Sequence, residues 1–267
     1  MCIRDSLARD ALLAAIRAAG ATPGKVPEGG MFVAPVVIET DLDHLPTREI
    51  FGPVLHVVRW HGEALPALID RLNALGYGLT HGVHSRLDGV VAQVTGRIRA
   101  GNIYVNRNIV GAVVGVQPFG GEGLSGTGPK AGGPLILHQL VRGTNPALPE
   151  SLVLPGPTGE ENIWSLHPRG TVLCLASNEA ERAAQYEAAS RAGCPVATDS
   201  PSAILTDATG DALVTLRRRM AAQEGAIVPI ITRQDGAYPV WRLRAERCVS
   251  TNTAAAGGNA ALLGQMA

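Results

Sequence analysis

Short apolar, β-branched runs alternate with helix-patterned stretches along this chain, and few architectures accept that order. "MFVAPVVIE" and "PVLHVVRW" are bounded by turn residues, as strands are. "EALPALIDRLNAL" then sets Leu65, Ala67, Leu68, Leu72 and Leu75 near one helical face, with Gly76 as its stop. "GLTHGVHS" reads as a strand, "LDGVVAQVTGRIRA" as a helix and "GNIYVN" as a strand again; upstream, "LARDALLAAIRAA" reads as a helix with Ser6 as N-cap and Gly20 as stop. Parallel strands need long crossovers, usually helical, so this alternation predicts an α/β fold with a mostly parallel sheet.

A glycine-rich stretch, Gly111 to Pro134, interrupts the pattern before "PLILHQLVRG", a short helix or strand. The prolines and glycines of "TNPALPESLVLPGPTGEENIW" mark a linker. Beyond it, "TVLCLAS", "NEAERAAQYEAASRAG", "AILTD", "GDALVTLRRRMAAQ" and "AIVPIIT" repeat the strand and helix order in a smaller, Rossmann-like α/β unit. The expected division is therefore residues 7–145, a linker at 146–170, and a second domain at 171–267 that ends in a tail segment. "MCIRDS", residues 1–6, has no apolar core and is set aside as a sequence scar.

With 267 residues, 46% hydrophobic and 17% charged, the chain can bury one large core or two modest ones. Its 23 basic and 23 acidic residues cancel, which removes the electrostatic footprint expected of nucleic-acid or anionic-membrane binders. No apolar run reaches membrane-spanning length, and a cytoplasmic location is expected. Cys2, Cys174, Cys194 and Cys248 are too scattered for a zinc site, and Cys174 and Cys194 sit in strand-like runs as buried, inert thiols would. His81 and His84 would point to opposite faces of a strand, so no metal is expected.

"GEGLSG", residues 121–126, fits the glycine pattern of a dinucleotide phosphate loop. That pattern works only where a buried strand enters it and a helix starts at its end. Here "QPFG" precedes it, and Gly128, Pro129, Gly132 and Gly133 follow, which would break a first helical turn. Gly123 to Lys130 has P-loop glycines but Pro129 in the lysine position, and Ser125 lacks the second glycine of a hydrolase elbow. Lys130 reads as a solvated loop lysine rather than a phosphate ligand.

Three fragments in order, "EIFGPV", "GNIYVNRN" and "QPFGGEGLSGTG", resemble the C-terminal portion of the aldehyde dehydrogenase superfamily. The longer run "GNIYVNRNIVGAVVGVQPFGGEGLSGTGPKAGGP" is similar to its glutamate semialdehyde (pyrroline-5-carboxylate) dehydrogenase branch, within the bifunctional proline utilization A family. "LPGPTGEENIWSLHPRGTVLCLA" and "ERCVSTNTAAAGGNAALL" resemble the linker, C-terminal domain and end segment of that family. The resemblance implies NAD as cofactor, with the Glu49 carboxylate accepting from the nicotinamide ribose and Phe51 packing beside it. It implies that Gly111 and Ala112 anchor the substrate carboxylate and that Phe119 walls the aldehyde chain; an ordinary tight turn at 111–112 is the alternative. The glycines after Phe119 would then serve backbone geometry, running toward oligomerisation strands.

In that family a cysteine thiolate attacks the aldehyde from a G-Q-R-C-S-like motif, and a glutamate acts as base. No cysteine here has that context, so no catalytic residue is assigned, and the chain resembles family sequence downstream of the nucleophile. The resemblance thus implies the end of a dehydrogenase domain joined to a C-terminal domain, with FAD confined to a proline dehydrogenase domain of the parent protein. The parent would be a homo-oligomer acting on a small molecule, and this chain alone would be inactive. The competing reading is a non-catalytic module that covers the active site or braces assembly; a free-standing nucleotide-binding α/β protein is disfavoured because the chain has no genuine phosphate loop.

Overall fold

The computed structural model describes residues 6–28, 30–61, 64–141 and 149–254. Cys2, nearly all of the "MCIRDS" stretch, and the end of the tail segment lie outside the described residues. Two compact units divide the chain, residues 1–71 and 72–267.

In the first unit, helix α1 (Ser6–Ala18) is followed by strands β1 (Val36–Thr40) and β2 (Val54–Val58), which pair in parallel from Val36 opposite Val54 to Thr40 opposite Val58. Gly20, with φ +76°, follows α1 in a conformation that suits glycine. Helix α2 (Leu65–Ala74) buries Leu65 and Ile69, one turn apart.

The second unit holds two principal sheets. One joins β4 (Thr80–Val83), β5 (Asn102–Val105), β12 (Arg244–Asn252), β8 (Glu160–Pro168) and β7 (Ser151–Leu154) in the order β4-β5-β12-β8-β7. Helix α3 (Asp88–Arg97) makes the crossover that lets β5 lie parallel to β4. β12 runs parallel to β5 and antiparallel to β8, so an otherwise parallel sheet ends in an antiparallel hairpin. A short ladder pairs β3 (Tyr77–Gly78) with β6 (Glu122–Gly123), and helix α4 (Ile136–Leu140) follows.

The other sheet, β11 (Ile230–Ile231), β10 (Ala203–Thr206) and β9 (Val172–Leu175), is wholly parallel. Helix α5 (Glu179–Arg191) starts where the Asn178 side chain accepts the Glu181 amide at 2.9 Å, and it ends before Gly193 at φ +70°. Helix α6 (Gly210–Ala221) leads on toward β11. Val172, Ala189, Leu205, Ile231 and Leu243 form the core of this sheet; Leu135, Trp164, Leu166 and Trp241 form another.

The stretch expected to be a linker carries β7 and β8. Along β8, Asn162, Trp164 and Leu166 are buried in alternation, a half-buried strand's pattern hidden in the sequence by the prolines and glycines around it. The tail segment contains β12, whose residues Ala245 to Cys248 are buried on both faces and so show no alternation.

Candidate active site

β5 carries the site. Asn102 and Tyr104 lie two apart, so they project from one face, and both are fully buried. The chain turns at Asn106, φ +55°, and residues 111–120 come back along that face. Tyr104 Oη donates to the Gly111 carbonyl at 3.3 Å. Two residues earlier on β5, Asn102 Nδ2 donates to the Pro118 carbonyl at 2.9 Å. Burial holds the Tyr104 phenol above its ordinary pKa, which keeps it a donor.

Gln117 folds the intervening loop onto itself and onto β8. Its Oε1 accepts the Val113 amide at 2.7 Å, and its Nε2 donates to Asn162 Oδ1 at 3.1 Å and to Glu160 Oε1 at 2.5 Å. Glu160 also pairs with Arg107, whose guanidinium lies 5.1 Å from the centre of the Tyr104 ring. Gly111, Ala112 and Phe119, the three residues expected on the substrate side, thus belong to one strapped segment. Gly111 takes φ +72° and would meet nothing within 4 Å if it carried a Cβ, so there is open space above it.

Phe119 is fixed through its backbone. Its amide donates to the Ala131 carbonyl at 3.0 Å, and the Ala131 amide donates back at 2.9 Å. Lys130, expected to be solvated, is instead 2% exposed: its Nζ donates to Asn102 Oδ1 at 2.8 Å and to the Gly120 carbonyl at 2.5 Å. The correction has a plain cause, because a buried ammonium is tolerated only with acceptors and a nearby carboxylate. The carboxylate is Glu246 of β12, which accepts the Lys130 amide at 2.6 Å and the Trp164 indole at 3.0 Å.

"GEGLSG" is a knot of backbone rather than a phosphate loop. No helix starts at Gly126. A Cβ on Gly123 would lie 2.4 Å from the Gly76 carbonyl oxygen, and one on Gly126 would lie 2.8 Å from that of Gly121. Ser125 Oγ accepts the Gly78 amide at 3.1 Å, and the Leu124 amide reaches the Gly76 carbonyl at 2.9 Å. These contacts bind the loop to β3, and with no helix starting behind it the loop lacks the dipole and amide array of a phosphate site.

In the first unit, Glu49 and Phe51 occupy the turn that leads into β2; Glu49 is exposed and Phe51 is 71% exposed. An exposed aromatic ring two positions along the chain from an exposed carboxylate suits a sugar and a planar ring, since the carboxylate accepts from hydroxyls and the ring offers an apolar face. The residues present therefore fit the nicotinamide ribose end of a dinucleotide.

The profile of the Aldehyde dehydrogenase family matches residues 9–144, half of the chain and all of the elements from β1 to β6. The chain belongs to the aldehyde dehydrogenase family. Members of this family generally use NAD or NADP. The bifunctional protein PutA of Escherichia coli is 39% identical over 88% of this chain and 24% of its own length. Mitochondrial delta-1-pyrroline-5-carboxylate dehydrogenase of Bos taurus is 40% identical over 44% of this chain and 21% of that protein. A solved proline utilization A structure from Corynebacterium freiburgense, 24% identical, superposes with a TM-score of 0.68 over 86% of this chain and 29% of that one, a likeness of fold. This aldehyde dehydrogenase chain spans about a quarter of the length of the PutA relatives it matches.

Sequence reasoning missed Asn102, Tyr104, Gln117, Trp164 and Glu246, whose hydrogen bonds hold the segment and the Lys130 stretch beside it. A dehydrogenase nucleophile would need a depressed thiol pKa, whereas burial pushes the thiols of Cys174 and Cys248 up. Cys194 is buried, with its Sγ 3.3 Å from the Leu243 carbonyl. His81 is half-buried in β4 and His84 is exposed beyond its end, and among the described residues no group of three His, Cys, Asp or Glu side chains could hold a metal. Among the described residues no helix is long and apolar enough to cross a membrane.

Burial also lowers Lys130 from 10.5 to about 8, against the opposing pull of Glu246. Between those values the unfolded chain binds more protons than the folded one, so this site's contribution to stability rises with pH across that window. Below about 8 the cost of burying the ammonium is present in full. Lys130→Met is expected to remove a slope of at most about 1.4 kcal/mol per pH unit, read as the difference between urea unfolding free energies of wild type and variant.

Proposed function

We propose that this chain supplies the substrate side of an NAD-dependent oxidation of L-glutamate γ-semialdehyde to L-glutamate, the second step of proline catabolism. Residues 7–145 would be the end of the dehydrogenase domain, 146–170 a connection, and 171–267 a smaller α/β domain whose strand β12 returns to the dehydrogenase sheet. The parent protein would be a cytoplasmic homo-oligomer. The likeness to PutA and to delta-1-pyrroline-5-carboxylate dehydrogenases supports the substrate, and the strapped 111–120 segment carries the proposal.

Within it, amides at Gly111 and Ala112 would take the substrate carboxylate, since small residues let the backbone approach an anion. Phe119 would wall the methylene chain and keep water from it. Glu49 would accept from the nicotinamide ribose hydroxyls, and Phe51 would pack beside it. NAD, when bound, would supply the hydride acceptor for the oxidation. With Cys174 and Cys248 held as thiols, the attacking thiolate would come from a segment that bears the family's cysteine motif.

The purified chain, given L-glutamate γ-semialdehyde and NAD, is expected to form no NADH; formation by the chain alone would overturn the proposal. Joined in frame behind a nucleophile-bearing aldehyde dehydrogenase segment, it is expected to support turnover. In that chimera Phe119→Ala should raise KM for the semialdehyde by about tenfold, the worth of one apolar wall. A second role, bracing of the dehydrogenase sheet by the C-terminal half, is favoured by β12 lying between β5 and β8.

A further inference from the structure

The backbone on both sides of Phe119 is held at every polar group the structure pairs. Asn102 takes the Pro118 carbonyl through Nδ2 and the Gly120 amide through Oδ1, the latter at 3.3 Å. Ala131 takes both polar groups of Phe119 itself. The Gly120 carbonyl goes to Lys130 Nζ, which also reaches Asn102 Oδ1. One ammonium therefore ties together the side chain that holds residue 118, the carbonyl of residue 120 and, through its own neighbour Ala131, residue 119. Space around it is tight: a Cβ on Gly101 would lie 2.7 Å from Nζ.

An ammonium buried this deeply costs free energy, so a contact that persists there has a compensating use. Its charged surroundings come from two elements, Glu246, Arg247 and the Cys248 thiol of β12 and Glu122 of β6. Apart from these it faces the backbone and amide groups that fix Phe119. A wall against a flexible aldehyde chain must stay in place while the substrate turns over, and a side chain is only as fixed as its backbone.

We propose that Lys130 is a positioning residue for the substrate wall, acting through Asn102 and Gly120 to fix Phe119 and touching no ligand itself. The proposal rests on the assignment of Phe119 to the substrate side. It gives the charged residue at the end of the glycine-rich run a role in holding the wall against the substrate's methylene chain rather than in binding phosphate.

The test is amide hydrogen exchange on the 267-residue chain with Lys130→Met, which keeps the length of the side chain and removes its donors. Exchange at Phe119, Gly120 and Ala131 is expected to quicken about 10- to 100-fold, the loss of charge-assisted hydrogen bonds, while β8 and β9 keep wild-type protection. Unchanged exchange at those three amides, or acceleration spread evenly over both sheets, would overturn the proposal. Should Lys130→Met fail to fold, Asn102→Asp reports on the same strut: it keeps acceptors for the ammonium and the Gly120 amide but cannot donate to Pro118, so exchange should quicken at Phe119 while Gly120 and Ala131 stay protected, and quickening at all three would overturn the part given to the ammonium. In the chimera with a nucleophile-bearing aldehyde dehydrogenase segment, Lys130→Met should raise KM for the semialdehyde about tenfold and leave KM for NAD unchanged. A fall in kcat with both KM values unchanged would overturn a positioning role. Phe119→Ala measured beside it separates the two claims: if that variant leaves KM alone while Lys130→Met still loosens residues 119–131, the substrate-wall assignment is the one that fails.

Discussion

Replacing Gly101 by alanine is expected to cost the chain about 3 kcal/mol or more, among the largest effects of adding one methyl group anywhere in it. The new Cβ would stand 1.8 Å from the Gly120 carbonyl oxygen, about half an ordinary carbon–oxygen contact. A flexible side chain could swing away, but this obstacle is backbone, and Lys130 Nζ and Asn102 hold it on either side. Gly101 cannot retreat either, because its amide donates to the Gly78 carbonyl at 3.0 Å and its carbonyl accepts the Cys248 amide at 2.9 Å. The strain therefore falls on the junction of β5, β12 and the Phe119 segment. For a chain of this size the midpoint of thermal unfolding should fall by roughly 6–12 °C. Gly96→Ala is the control: it lies within α3 with nothing within 4 Å of its Cβ, and it should stabilise by about 0.5–1 kcal/mol through helix propensity. Equal midpoints for Gly101→Ala and wild type would mean that Gly120 does not cross β5 at this point.

How much of this could be read from the residues depends on where the information lies. Strands β1, β2, β4, β5, β9, β10 and β11 were legible because each is short, apolar and punctuated by Gly, Pro or Asn, and the helices between them by their patterned faces and stops; the two-residue β3 was not. β8 was within reach: Asn162, Trp164 and Leu166 alternate, but Pro155, Gly156, Pro157 and Gly159 dominate the view. β12 was not, because a strand paired on both sides and buried on both faces shows no period, and Glu246 and Arg247 in its middle look like surface residues. Their burial is compensated by partners more than a hundred residues away in sequence, Lys130 and Glu122, and local pattern carries no trace of such pairings.

The same limit shaped the site. The segment 111–119 was found through its likeness to a family, since its glycines and phenylalanine have a recognisable order. What holds it was invisible: Asn102 and Tyr104 look like ordinary strand residues, and Lys130 looks like any lysine in a glycine-rich loop. Only three-dimensional placement reveals that the loop's carbonyls need donors and that β5 and Lys130 provide them. The failed phosphate-loop match is informative in the same way. The glycines of "GEGLSG" are there because backbone passes backbone within contact distance, a need that leaves the same letters in the sequence as anion binding does.

Glu246→Ala should be the most damaging change on β12, at about 3–5 kcal/mol. The carboxylate stands at the meeting point of three stretches of chain: β12 that bears it, β8 through the Trp164 indole, and the Lys130 amide that precedes Ala131. Burial pushes its carboxyl above the usual range, while the bonds from Lys130 and Trp164 and the Lys130 charge pull the other way. Truncation orphans the buried N–H donors of Lys130, Trp164 and Leu135 and also takes away the largest favourable charge acting on the Lys130 ammonium. Glu246→Gln should cost less, about 1–2 kcal/mol, because an amide oxygen still accepts one of the donors. If the damage comes mainly from the stranded ammonium, Lys130→Met added to Glu246→Ala should restore part of the loss, and the double variant should be more stable than the sum of the singles allows. Strict additivity would show that the two groups do not sense each other. Urea unfolding followed by tryptophan fluorescence reads both quantities at once, because the Trp164 indole is bonded to the residue being removed. A large, rescuable loss would mean that β12 supports the Phe119 segment electrostatically, through one carboxylate shared by the strand, the Trp164 indole and the Lys130 amide.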